Sequence, residues 1–110
     1  MQPEDEVRLR HLVDAATTAQ EFVAGRERRD LDADEMLRLA LTKLVEIVGE
    51  AAKQVSPEAR SEMPDVPWSA AARTRDRLVH HYFDIDLDVL WRTVTEDLPA
   101  LLDRLPGLDD

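Results

Sequence analysis

Apolar residues recur at helical spacing along nearly the whole chain. From Glu4 to about Ala24 they fall at Val7, Leu9, Leu12, Val13, Ala16, Ala19 and Val23, which predicts an amphipathic helix. Gly25 and the charged run Arg26 to Asp30 end it. Asp32, with Glu35 three residues on, reads as a capping box for a second helix. There Leu37, Leu41, Leu44, Val48, Ala51 and Val55 share one broad face. The small residues around Gly49, Ala51 and Ala52 would let a neighbouring helix come close. Ser56 and Pro57 suit the cap and first turn of a short third helix. Met63-Pro64-Asp65-Val66-Pro67 reads as a rigid connector, because each proline fixes its own φ and restricts its predecessor. Trp68 opens a fourth helix expected to reach about Tyr82. Asp84 or Asp86 can cap a fifth, which carries Leu87, Leu90, Trp91, Val94 and Leu98 and should kink at Pro99. The tail from Pro106 reads as frayed. Five helices, no strands and short connections predict one all-α domain over 1–110, an antiparallel helical bundle of four to five helices.

Composition narrows the chemistry. With 44% hydrophobic and 35% charged residues, the chain suits a globular domain. There is no cysteine, which removes disulfides, thiolate zinc sites and cysteine nucleophiles and points to a reducing cytoplasm. The acidic start, Met1 to Glu6, does not look like a secretory signal, and no apolar run approaches a membrane span. The net charge of -10 argues against sequence-blind DNA binding, which depends on neutralising phosphates. No specific DNA binding and no membrane association are expected.

Against that acidic background, Arg73, Arg75 and Arg77 form the densest basic cluster, and they lie in the most informative stretch, Arg75-Asp76-Arg77-Leu78-Val79-His80-His81-Tyr82. On an unbroken helix, Trp68, Ala71, Ala72, Val79 and Tyr82 would gather on one side with Arg75 among them. A guanidinium in apolar surroundings needs an anion or acceptors, so the stripe is expected to hold either a structural ion pair or an anionic ligand. Asp76 and His80 are four apart and would share a helix face, where the carboxylate could fix the imidazole tautomer. Arg75 and His80 are five apart and would diverge by about 140°. Both could reach one phosphate if Arg75 bends around, if the helix loosens near His80, or if a twofold dimer brings two copies together. The dimer is the preferred reading, since it makes the stripe an interface. His81 points away from His80 on a helix, which makes a metal site of His80, His81 and Asp84 weak. His11 is isolated and takes no role here. Gly-rich phosphate loops, the H-E-x-x-H spacing and the G-x-S-x-G elbow are absent from the sequence.

Arg75-Asp76-x3-His80-x-Tyr82 resembles the signature of the HEPN superfamily: arginine, a polar residue, a spacing of four to six, and histidine. The tyrosine two places later is similar to that of its HepT-like ribonuclease branch. Ile47-Val48-Gly49-Glu50-Ala51, Val66-Pro67-Trp68 and the Ile85 to Trp91 block followed by Pro99 resemble further family segments. Together these cover roughly Leu37 to Leu101. The resemblance implies a homodimer with the motif helix at or near the interface, and a metal-independent endoribonuclease toxin that needs no cofactor. It implies RNA as substrate, with Arg75, His80 and Asp76 as catalytic residues. It also implies a minimal nucleotidyltransferase antitoxin as partner, which silences the toxin by AMPylation of Tyr82. The polar residue after the arginine is often asparagine in the family and is Asp76 here. Two other readings of the same residues are a non-catalytic module binding a nucleotide or a nucleotidyltransferase, and a purely structural Arg75 paired to Glu46 or Glu50.

Overall fold

A computed structural model describes residues 1–81 and 84–105, with the backbone alone described at 79–81. The expected frayed tail at 106–110 lies outside the described residues. Two long helices carry the fold. Helix α1 spans Pro3–Val23, and α3 spans Glu35–Gln54 after a short α2 at Asp30–Ala33. Leu9, Leu12, Ala16 and Ala19 of α1 pack with Leu41, Val45, Val48 and Ala52 of α3 in one core, all buried. The pair is antiparallel. The start of α1 meets the end of α3, where Asp5 accepts from both the Ser56 backbone N–H and the Ser56 hydroxyl, each at 2.8 Å. The Ser56 N–H holds the buried Asp5 carboxyl below the ordinary carboxylate value, and the hydroxyl adds to the effect.

The cap of α3 differs from the expected Asp32. Asp34, in extended conformation, accepts from the Leu37 N–H at 3.0 Å, while Asp32 lies inside α2. That bond, more than any other cause, lowers the Asp34 carboxyl. Ser56 caps α4 (Pro57–Glu62) as its sequence suggests, accepting from the Ala59 N–H at 3.1 Å. From α4, Arg60 donates back to the carbonyls of Ala52 and Val55 at the end of α3, at 2.8 and 3.1 Å. Its guanidinium also lies 5.8 Å from the Trp68 ring centroid.

The expected fourth helix is not continuous. It divides at Arg73 into α5 (Trp68–Ala72) and α6 (Thr74–Leu78), and it stops short of Tyr82. From Val79 the backbone forms a strand, β1 (Val79–His81), paired antiparallel with β2 (Asp84–Ile85). The Asp86 N–H donates to the Leu78 carbonyl at 2.7 Å and closes this turn. The expectation of no strands is therefore corrected, although the domain is otherwise all-α. The break lies over a close contact with α3. Thr74 is buried against Gly49 of α3, and its hydroxyl donates to the Ala71 carbonyl at 3.0 Å, at the C-terminal end of α5. A Cβ on Gly49 would lie 3.3 Å from Thr74 Oγ1 and 3.4 Å from the Ala72 carbonyl oxygen. The close approach expected around Gly49 is thus realised, by α5 and α6.

Asp86 caps α7 (Leu87–Arg92), accepting from the Val89 N–H at 3.1 Å. A π-helical stretch follows at Thr93–Asp97, then α8 at Leu98–Arg104. Pro99 explains the wide turn. The Leu98 N–H reaches back to the Thr93 carbonyl, and proline has no N–H to offer Val94. Gln20 of α1 donates its side-chain amide to that Val94 carbonyl at 2.6 Å. Among the described residues, no helix is long and apolar enough to cross a membrane.

Candidate active site

Both short helices of the motif segment bury the same face. Trp68, Ala71, Thr74 and Leu78 face the core, while Arg73, Arg75, Asp76 and Arg77 are exposed. Arg75 is exposed and forms the ion pair with Glu46 that one of the expected readings names, while the Val79 and Tyr82 side chains of the expected stripe lie outside the described residues. Its Nε donates to Glu46 Oε1 of α3 at 2.9 Å, with the two side chains 49% and 33% exposed. The bond uses one of the five guanidinium donors. Arg77 takes a different part: its Nη2 donates to the Ala70 carbonyl at the end of α5, at 3.2 Å.

The shared helix face expected of Asp76 and His80 does not form, because α6 ends between them. His80 belongs by its backbone to β1, and the segment between Arg75 and His80 loosens. The side chains of His80 and His81, and Tyr82 as a whole, lie outside the described residues. Among the described residues, no three histidine or acidic side chains gather to hold a metal ion.

Arg75 stands on the rim of an open cleft of about 680 Å³. Its other walls include Arg8 and His11 from α1, and Lys43, Glu46, Ile47 and Glu50 from α3. The two stripes follow from helical spacing: Arg8 and His11 are three apart, and Lys43, Glu46, Ile47 and Glu50 run three, four and seven from the first. Sequence reasoning missed Arg8, His11 and Lys43. Their spacing was visible, but it becomes meaningful only once α1 and α3 are known to pair and Arg75 to join them through Glu46.

The family model described as ribonuclease HepT-like matches residues 12–106. The chain belongs to the HepT-like ribonuclease family. It is 37% identical over 100 residues to the "Probable ribonuclease HepT" of Thermococcus cleftensis, covering 91% of each chain. Two proteins named "Putative RNase" are also similar. One, from Methanocaldococcus jannaschii, is 32% identical over 93 residues, covering 84% of this chain and 85% of the relative. The other, from Caldanaerobacter subterraneus subsp. tengcongensis, is 33% identical over 93 residues, covering 84% and 83%. No solved structure matches. As a HepT-like protein the chain is a ribonuclease.

Proposed function

We propose that this HepT-like protein is a metal-independent endoribonuclease that uses the RNA 2′-hydroxyl as nucleophile. The observation that carries the reading is Arg75, half-exposed and held by Glu46 at the rim of a cleft lined with cations. A structural role is the specific rival, and the Arg75–Glu46 pair is the one that reading names. Exposed ion pairs contribute about 0–1 kcal/mol, so the pair supports a positioning role more than a stabilising one. An arginine fixed through Nε keeps its Nη donors for the non-bridging oxygens of a phosphate.

In the proposed reaction, His80 removes the proton from the 2′-hydroxyl, whose oxygen attacks the adjacent phosphorus. Arg75 stabilises the charge of the phosphorane. The P–O5′ bond then breaks, and an imidazolium donates the proton to the departing 5′-oxygen. Asp76 serves by orienting His80 or by contacting the RNA. A homodimer packed along the motif segment would bring two histidines to one cleft, one as base and one as acid. The products are a 2′,3′-cyclic phosphate and a 5′-hydroxyl, and DNA, which lacks the nucleophile, is left intact.

The same reading makes the protein a cytoplasmic toxin. Its antitoxin is a minimal nucleotidyltransferase that attaches AMP to Tyr82, which puts an anion where RNA phosphate would sit and repels it. The deciding assay is cleavage of a defined RNA in EDTA, with product ends identified by mass spectrometry. Cyclic-phosphate products from the parent chain, and none from His80→Ala, are expected. Cutting of DNA, or loss of activity on chelation, would overturn the mechanism. Mass spectrometry after co-expression with the nucleotidyltransferase tests the modification, with added AMP expected on Tyr82 and nowhere else.

A further inference from the structure

The cleft extends well past Arg75, and its far part has no place in the reaction just described. Along α3, Lys43 lies one turn before Glu46, the residue that holds Arg75. Towards the end of α3, α1 contributes Arg8 and His11 to the same cleft. The charge pairing here is uneven. Glu46 is engaged by Arg75, and Glu50 approaches Lys53 at 4.0 Å. Among the described residues, Arg8 and Lys43 have no carboxylate partner. A chain of net charge -10 thus keeps two unpaired cations and an exposed imidazole on the cleft that holds its motif arginine.

We infer that Arg8, His11 and Lys43 form a phosphate track, which holds the RNA strand flanking the phosphate gripped by Arg75. This rests on the ribonuclease mechanism above and extends it from one phosphate to a strand. Three physical points support it. The cleft volume of about 680 Å³ leaves room beyond a single phosphate group. The helix rise of about 1.5 Å per residue puts Lys43 roughly 4.5 Å along α3 from Glu46, within the reach of a long side chain to a neighbouring phosphate. Local cations are also the way an acidic protein can attract a polyanion without a basic surface overall. His11 adds a hydrogen-bond donor between the two helices' cations.

The test is binding of a short, fluorescently labelled, fully 2′-O-methylated single-stranded RNA to the full chain, read by anisotropy over a range of salt concentrations. The methyl groups remove the nucleophile, so binding is read without cleavage. Arg8→Ala/Lys43→Ala is expected to weaken binding by about 10-fold or more near physiological salt, and to lower the slope of log K against log salt by about 1.4, roughly 0.7 for each lost phosphate contact. His11→Ala is expected to weaken binding by about 5-fold, the value of one hydrogen bond. The control Arg26→Ala/Arg29→Ala removes the same charge from the connector after α1 and should leave the slope unchanged. Circular dichroism confirms that each variant folds. Affinity and slope unchanged in Arg8→Ala/Lys43→Ala, or an equal loss in the control, would overturn the track. Cleavage of unmodified RNA by the parent chain is measured beside it. Cleavage with an unaffected double variant rejects the track alone. A parent that binds without cutting rejects the mechanism, while the slope still decides the track.

Discussion

Arg75 Nε donates to Glu46 Oε1 at 2.9 Å across the joint between α6 and α3, with both side chains in partial contact with solvent. The pair positions more than it stabilises. Arg75→Ala is expected to lower RNA cleavage by about 10²- to 10³-fold, as for loss of a donor to a developing oxyanion. Its unfolding free energy should change by less than about 1 kcal/mol. Arg75→Lys should recover little, since an ammonium cannot offer a planar fork. A chemical unfolding curve beside a cleavage rate separates the two effects, and a collapsed fold in Arg75→Ala would return the residue to a structural role.

Glu46→Gln separates positioning from charge. Removing a carboxylate from the cleft should lower KM for RNA, because one repulsion with phosphate is gone. Loosening the guanidinium should at the same time lower kcat by about 10-fold, a change typical of lost orientation. A joint fall of KM and kcat is the signature to look for in steady-state kinetics. A purely structural Glu46 would leave both constants unchanged per folded molecule.

Gly49 sets the distance between α3 and the motif segment. Gly49→Val puts a branched side chain where Thr74 and the Ala72 carbonyl already sit at 3.3–3.4 Å from a single Cβ. It should destabilise by about 1–3 kcal/mol and displace α6, so that activity falls further than the loss of folded protein explains. Thermal unfolding and specific activity per folded molecule measure the two losses separately.

The outline of the fold was legible in the sequence, and the site was legible only in part. The periodicity at Leu9, Leu12, Leu41 and Val48 places the two long helices, and the caps Ser56 and Asp86 stand where their residue types suggest. Asp34 rather than Asp32 caps α3 because two acids close together compete for one role, and backbone conformation decides between them. The break at Arg73 was not legible: Ala70 to Arg77 has no glycine or proline, and the interruption lies where Thr74 meets Gly49, a contact between segments 25 positions apart.

The π-helical stretch supplies a coupled pair far from the site. Gln20→Leu leaves the Val94 carbonyl without its donor and should cost about 1–3 kcal/mol. In a Pro99→Ala background the regained backbone N–H can restore ordinary pairing in this turn, and the same Gln20 substitution should then cost less. A double-mutant cycle by urea unfolding is expected to show coupling of about 0.5–2 kcal/mol. Strict additivity would mean that Gln20 and Pro99 are unrelated.

Acid sensitivity should centre on Asp5. Its carboxyl is held below the ordinary value of 3.8 by the Ser56 N–H and hydroxyl. The folded state therefore favours the ionised form. The stability this contributes is complete above the ordinary value and is lost as pH falls through the lower folded one. Asp5→Asn should flatten the acid limb of a plot of melting temperature against pH between roughly pH 2 and 5. An unchanged limb would assign acid unfolding to other carboxylates.

The turn at Leu78 has a consequence for how the motif tolerates change. Were Arg75 and His80 on one rigid rod, each inserted residue between them would swing everything beyond it by about 100°. Instead the rod ends at Leu78, whose side chain is fully enclosed, and the Leu78 carbonyl is tied to the Asp86 N–H. A residue added after Leu78 lengthens a small excursion that leaves and rejoins the domain at fixed points. The arginine stays anchored while the histidine's reach is tuned, so spacing in this segment can drift without the scaffold having to be rebuilt.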